Sequence, residues 1–189
     1  SEGSVQLLAV NTLGVIYIVE NGGQTVTDWS SLKGQTIYAT GKGSTPEYAL
    51  NYLLEENGLD PASDVTIEWK SEHSECVAAL AADAAGIAML PQPFVTVAQG
   101  KIEGLRMALD LTKEWDALDN GSALLTGVVV ARSAFIDENP QAVSDFLDAY
   151  KQSVAYANEH VDETAALIGQ YDIITEEVAK VALPQCAIV

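Results

Sequence analysis

Positive charge is scarce in this chain. Nine Lys and Arg stand against 27 Asp and Glu, a formal net charge of −18. A surface this acidic repels nucleic-acid phosphates and anionic lipid, so neither is expected as a partner. Histidine and cysteine are scarcer still, at two each. His73 and His160 stand far apart in the chain, as do Cys76 and Cys186, so there is no Cys/His metal spacing and no disulfide framework. Cys76, inside the apolar run to Leu80, reads as a small buried thiol. No metal and no cofactor is expected. The known catalytic signatures are missing as well: no G-x-S-x-G elbow, no G-x-x-x-x-G-K-[ST] loop and no H-E-x-x-H. No run approaches the roughly 18 consecutive apolar residues that span a bilayer.

What the chain does have is a regular apolar pattern, with 48% hydrophobic residues over 189 positions. Val5–Val10 reads as a buried strand, Asn11-Thr12-Leu13-Gly14 as an interruption, and Val15–Val19 as its resumption. Asp28–Gly34 reads as a single capped helical turn. A cadence follows. Strands are expected at Thr36–Ala39, Val65–Trp69, Ile87–Leu90 and Leu105–Leu109. Between them helices are expected at Thr45–Asn57, at Ser74–Ala85, and at Pro93–Gln99, the last stopped by Gly100. Alternation of this kind implies a three-layer α/β fold, a mostly parallel sheet with helices on both faces. Thr126–Ala131 is one more strand. Helices from Pro140 to about His160, Asp162 to Gly169 and Thr175 to about Ala182 complete the chain.

The most informative segment is Gly41-Lys42-Gly43-Ser44-Thr45-Pro46, where a strand turns into a helix. Such a junction offers free backbone N–H groups, two hydroxyls and the positive end of a helix dipole, and these suit a small anionic or strongly polar group. Ser44 with Glu47 satisfies the S-x-x-E capping box; alternatively Thr45 is the cap and Pro46 the first helical residue. In an open α/β sheet, ligands bind beyond the carboxyl ends of the strands. Three segments sit there: 40–46, 70–74 and 91–94. Their polar members are Thr40, Lys42, Ser44, Thr45, Ser71, Glu72, His73, Ser74 and Gln92. Lys42 reads as a solvated side chain or an anion's partner, and Gln92, between two prolines, as a stiff amide at a strand end. His73 reads as part of a helix start flanked by acidic residues that favour the dipole.

Four segments carry a family resemblance. Trp29–Tyr38, around Leu32-Lys33-Gly34, resembles the "-DLKGKK-strand" entry of extracytoplasmic substrate-binding proteins of ABC importers. Gly41–Pro46 falls where those proteins begin a ligand-facing helix. Asp83–Phe94 is similar to their "G-x-A-D-I-A-x-x-x-x-P" segment, with Gly86 in place of the usual acidic residue. Gly127–Phe135, continued by Glu138–Val143, resembles their "strand-R-x-F-x-x-x-x-P-x-x-V" return. The branch most similar serves nitrate, sulfonates, taurine and thiamine-pyrimidine precursors. The resemblance implies one lobe of a type 2 periplasmic-binding fold. Residues 1–14 would be the last strand of a first lobe and a crossover, 15–132 the second lobe, and 133–189 helices returning toward the first lobe. Both ends of the chain read as cut, so the missing first lobe is itself an expected partner.

The resemblance also implies a function. The chain would be a non-enzymatic importer component that holds a small polar or anionic solute between two lobes and delivers it to a membrane permease. It would work outside the cytoplasm, in a periplasm or lipid-anchored as a lipoprotein. Asn11, Thr12, Ser44, Thr45 and Gln92 are the implied ligand-binding positions. The rival expectation is an enzyme of small-molecule metabolism on the same scaffold, for example in pyrimidine-precursor synthesis.

Overall fold

A computed structural model describes residues 3–189. Ser1 and Glu2, part of the end read as cut, lie outside the described residues. In chain order the strands are β1 (Val5–Leu13), β2 (Ile16–Glu20), β3 (Thr36–Ala39), β4 (Thr66–Trp69), β5 (Ile87–Pro91), β6 (Arg106–Asp110) and β7 (Leu125–Arg132). The α-helices are α1 (Thr45–Glu56), α2 (His73–Ala82), α3 (Phe94–Lys101), α4 (Leu111–Ala117), α5 (Ser133–Glu138), α6 (Pro140–Glu159), α7 (Val161–Gln170) and α8 (Glu176–Ala182). They form two compact units, one of residues 14–124 and one of residues 1–13 with 125–189.

The 14–124 unit is a five-stranded sheet in the order β4-β3-β5-β2-β6. β3 runs parallel to β4 and to β5, whereas β2 runs antiparallel to both β5 and β6. Four strands therefore share one direction and β2 alone is reversed. Every residue of β2 is buried, as suits an interior strand between β5 and β6 with helices on both faces. Alternate side chains feed two cores. Ile16, Ile18, Ile37, Ile87 and Met89 pack with Leu50, Leu53 and Leu54 of α1. Tyr17, Val19, Ala88 and Leu90 pack with Val77 and Leu80 of α2 and with Val95 and Ala98 of α3. The period of two along each strand sends neighbours to opposite faces, so helices cover both. This is the three-layer α/β arrangement.

Local structure departs from the sequence reading at a few points. β1 does not break at Asn11; it runs through Leu13, because those residues pair with β7 across several register shifts. The break comes at Gly14 and Val15, both at positive φ (87° and 84°). A Cβ on Gly14 would sit 1.7 Å from the Thr112 hydroxyl oxygen, so only glycine fits there. α3 runs through Gly100 to Lys101 instead of stopping at the glycine. α4 is an element the apolar pattern does not announce, although Asp110 caps it by accepting from the amides of Thr112 and Lys113.

In the other unit β1 pairs antiparallel with β7. The segment 125–132, grouped from sequence with 15–132, thus shares a sheet with residues 5–13. Residues 187–189 bond along the far end of β1, with Leu13 N–H donating to Ala187 O and Val189 N–H to Asn11 O. α7 and α8 bury Ala165, Ala179 and Ala182. α6 buries no residue, despite a stripe of Val143, Phe146, Leu147, Tyr150 and Val154. Val5, Leu7 and Val130 stand exposed on the sheet.

Candidate functional site

β3, β4 and β5 are parallel, so their carboxyl ends lie on one edge of the sheet and hand the chain to the starts of α1, α2 and α3. The three rim segments named from sequence therefore share an edge.

On the β3–α1 loop, Ser44 is the N-cap in extended backbone and Pro46 lies in the first helical turn. The S-x-x-E capping box is not formed. Ser44 Oγ donates to Gly41 O at 2.7 Å, and the Glu47 carboxylate accepts from the Gly43 amide instead. Ser44 N–H is also used within the loop, donating to Gly41 O at 3.1 Å. Among the described residues, the first-turn amides of Thr45 and Glu47 have no acceptor. Ser44 and Thr45 are both exposed. The loop thus presents two accessible hydroxyls and helix-end amides, with fewer free N–H groups than the glycine pattern alone implies.

Gln92 sits at the end of β5, 6% exposed, with its amide donating to Val15 O at 2.9 Å. Its side-chain oxygen accepts from the Thr96 hydroxyl (2.9 Å) and amide (3.3 Å). The peptide bond to Pro93 is cis. This side chain braces the first turn of α3. Gln92→Ala strands two buried donors of Thr96, and urea unfolding followed by tryptophan fluorescence should show a loss of roughly 1–3 kcal/mol.

Thr40 and His73 form the contact that sequence reasoning missed. Thr40 is 5% exposed, and its Oγ1 lies 2.7 Å from His73 Nδ1. The imidazole also lies against Phe94, ring centres 4.6 Å apart. Burial holds its pKa below the ordinary histidine value, with the Glu72 carboxylate pulling the other way. His73 does begin a helix, as the first residue of α2 with Glu72 as N-cap, and it reaches the neighbouring strand end besides. A spacing of 33 residues carries no sequence signal; only the parallel strands bring these groups together.

The rim lysines differ. Lys70 is ion-paired with Glu68 and its ammonium lies 5.5 Å over the Tyr38 ring. Lys42 lines a groove of about 430 Å³ with Glu47, Asn51 and Trp69. Asn11 and Thr12 belong to the other unit. Thr12 Oγ1 donates to Asn11 Oδ1 at 3.0 Å, and Gly127 leaves the room Asn11 needs: a Cβ there would lie 2.1 Å from that oxygen. Cys76 and Cys186 are free thiols, and burial pushes Cys76 up to about 11.

The family model described as NMT1/THI5 like matches residues 4–164. No curated protein matches the sequence. Among solved structures, an ABC transporter protein from Parabacteroides distasonis is 22% identical with a TM-score of 0.78, over 98% of this chain and 60% of its own. The periplasmic aliphatic sulphonate binding protein SsuA from Escherichia coli is 16% identical with a TM-score of 0.78, over 100% of this chain and 62% of its own. A mutant of DSZB in complex with biphenyl-2-sulfinic acid is 17% identical with a TM-score of 0.63, over 98% of this chain and 67% of its own. The chain thus has the periplasmic-binding fold and spans about three fifths of the length of the first two.

Proposed function

The chain belongs to the NMT1/THI5-like family, and from that premise we propose that it is the solute-binding part of an ABC importer. The solute is a small molecule with an anionic end, a sulfonate being the first to test. One observation carries the reading: the exposed Ser44 and Thr45 hydroxyls and the unpaired amides of the first turn of α1 sit on the edge where three strands end together. Such a cluster binds an anion by hydrogen bonds and dipole, which act at close range against the global charge of −18. The sulphonate-binding neighbour supports the choice of solute class.

Delivery to a permease, work outside the cytoplasm and a further lobe belong to the same proposal. Exposed Val5, Leu7 and Val130 on the two-stranded sheet are the kind of surface such a lobe would cover. The chain alone should bind more weakly than the longer protein, since contacts from the residues its relatives have beyond this length would be missing. Ser44→Ala with Thr45→Ala should weaken sulfonate binding by about 1–3 kcal/mol in calorimetric titration of the longer protein. An unchanged affinity would remove those hydroxyls from the site.

A second reading, an enzyme of small-molecule metabolism such as pyrimidine-precursor synthesis, draws on the imidazole held at the rim by Thr40. It requires turnover that His73→Ala abolishes.

A further inference from the structure

The rim has a charge problem. An anionic solute must be held by a protein of net charge −18, and the rim's cationic candidates are Lys42, Lys70 and His73. Lys70 is tied to Glu68. Lys42 lines the groove beside Trp69 and Asn51. His73 is different: it is wedged between the Thr40 hydroxyl and the Phe94 ring, and its Nε2 has no hydrogen-bond partner among the described residues.

We propose that His73 contacts the anionic group of the solute through Nε2 and takes up one solvent proton when the solute is captured. This rests on the solute-binding reading above. The geometry suits both charge states. A threonine hydroxyl donates to an unprotonated Nδ1 and accepts from a protonated one, so the 2.7 Å contact survives either way and the ring keeps its place. With the site empty, burial favours the neutral ring and no unpaired charge is left beside Phe94. An anion at Nε2 reverses that balance, because an opposite charge within hydrogen-bond range favours the imidazolium.

The surrounding charges leave room for this. On α2 itself Glu72 favours the protonated ring, while the Glu75 carboxylate is taken by the amides of Ser71 and Glu72. From β3 and its loop come Tyr38, whose hydroxyl bonds Asp83, and Lys42. From β4 comes Glu68, paired with Lys70 just beyond the strand end. The first turn of α3, Phe94–Val97, carries no charged residue.

The test is a pH titration of the chain by NMR, following both histidine rings and the amides of Thr45 and Glu47, with methanesulfonate added at constant ionic strength. His160, in the other unit and stacked on Tyr156, is the internal reference. The expected result is a saturable rise of the His73 pKa with methanesulfonate while His160 stays still. Apparent affinity should climb by up to about tenfold per pH unit as pH falls through the window between the free and bound values. His73→Gln should keep the amide response and lose its pH dependence. If the Thr45 and Glu47 amides respond saturably but the His73 pKa does not move, the solute reading stands and this inference is overturned. If neither amides nor ring respond in the chain or in the longer protein, both are overturned.

Discussion

Arg106→Ala should cost the 14–124 unit about 3 kcal/mol, read as a lower urea midpoint. Trp29, Trp69 and Trp115 all lie in that unit, so tryptophan fluorescence follows it alone. Arg106 is ion-paired with Glu20, which is 1% exposed at the end of β2, and its guanidinium also donates to Val26 O at 2.7 Å. Removing one partner of a buried pair typically costs about 3–5 kcal/mol, because the other charge is left unpaired in a dry setting. The lower end applies here, since the Arg106 side chain keeps 32% of its surface exposed. By contrast Lys33→Ala, which removes a solvent-exposed partner from the half-buried Asp64, should move the midpoint far less.

The same substitution has a pH signature. Burial pushes the Glu20 carboxyl up, but bonds from the Thr25 hydroxyl and amide, Arg106 and the Val26 amide outweigh it and hold the pKa below its usual value. A depressed folded pKa contributes stability above the unfolded value and loses it as pH falls through the folded value. Without Arg106 the carboxyl rises, so acid unfolding should begin at higher pH than in the parent. An acid transition that stays in place would show that the Thr25 and Val26 bonds suffice.

The second large effect is Ile18→Ala, expected to lose roughly 3–4 kcal/mol by the same measurement. Ile18 is fully buried in the middle of β2, paired with Met89 of β5 on one side and Leu109 of β6 on the other. Deleting its outer carbons loses transfer free energy and leaves a cavity that rigid flanking strands cannot close. A loss under about 1 kcal/mol would mean the sheet relaxes around the gap, and the reversed interior strand would then not be a fixed spine.

Much of the fold was legible in local pattern. Strand and helix alternation from Thr36 to Leu109 follows from apolar periodicity and capping residues, which act over a few residues. The misses have local causes too. Gly100 did not stop α3, because a single glycine costs only about 1 kcal/mol in a helix whose Val95 and Ala98 are buried. Asp110 signalled a cap for α4, but the short helix had too few turns to show a stripe.

At the rim, the sequence alone could locate the loop at Gly41–Pro46, since glycine, hydroxyl and proline preferences at a helix start are set by neighbours in the chain. It also determined that positive charge is scarce enough to make any rim cation matter. Only the tertiary structure decided that Ser44 bonds back to Gly41, that Glu47 occupies the Gly43 amide, that Gln92 braces α3, and that Thr40 meets His73. Strand order brings chain-distant groups together through packing of the whole sheet, and no short-range preference of either partner encodes that meeting.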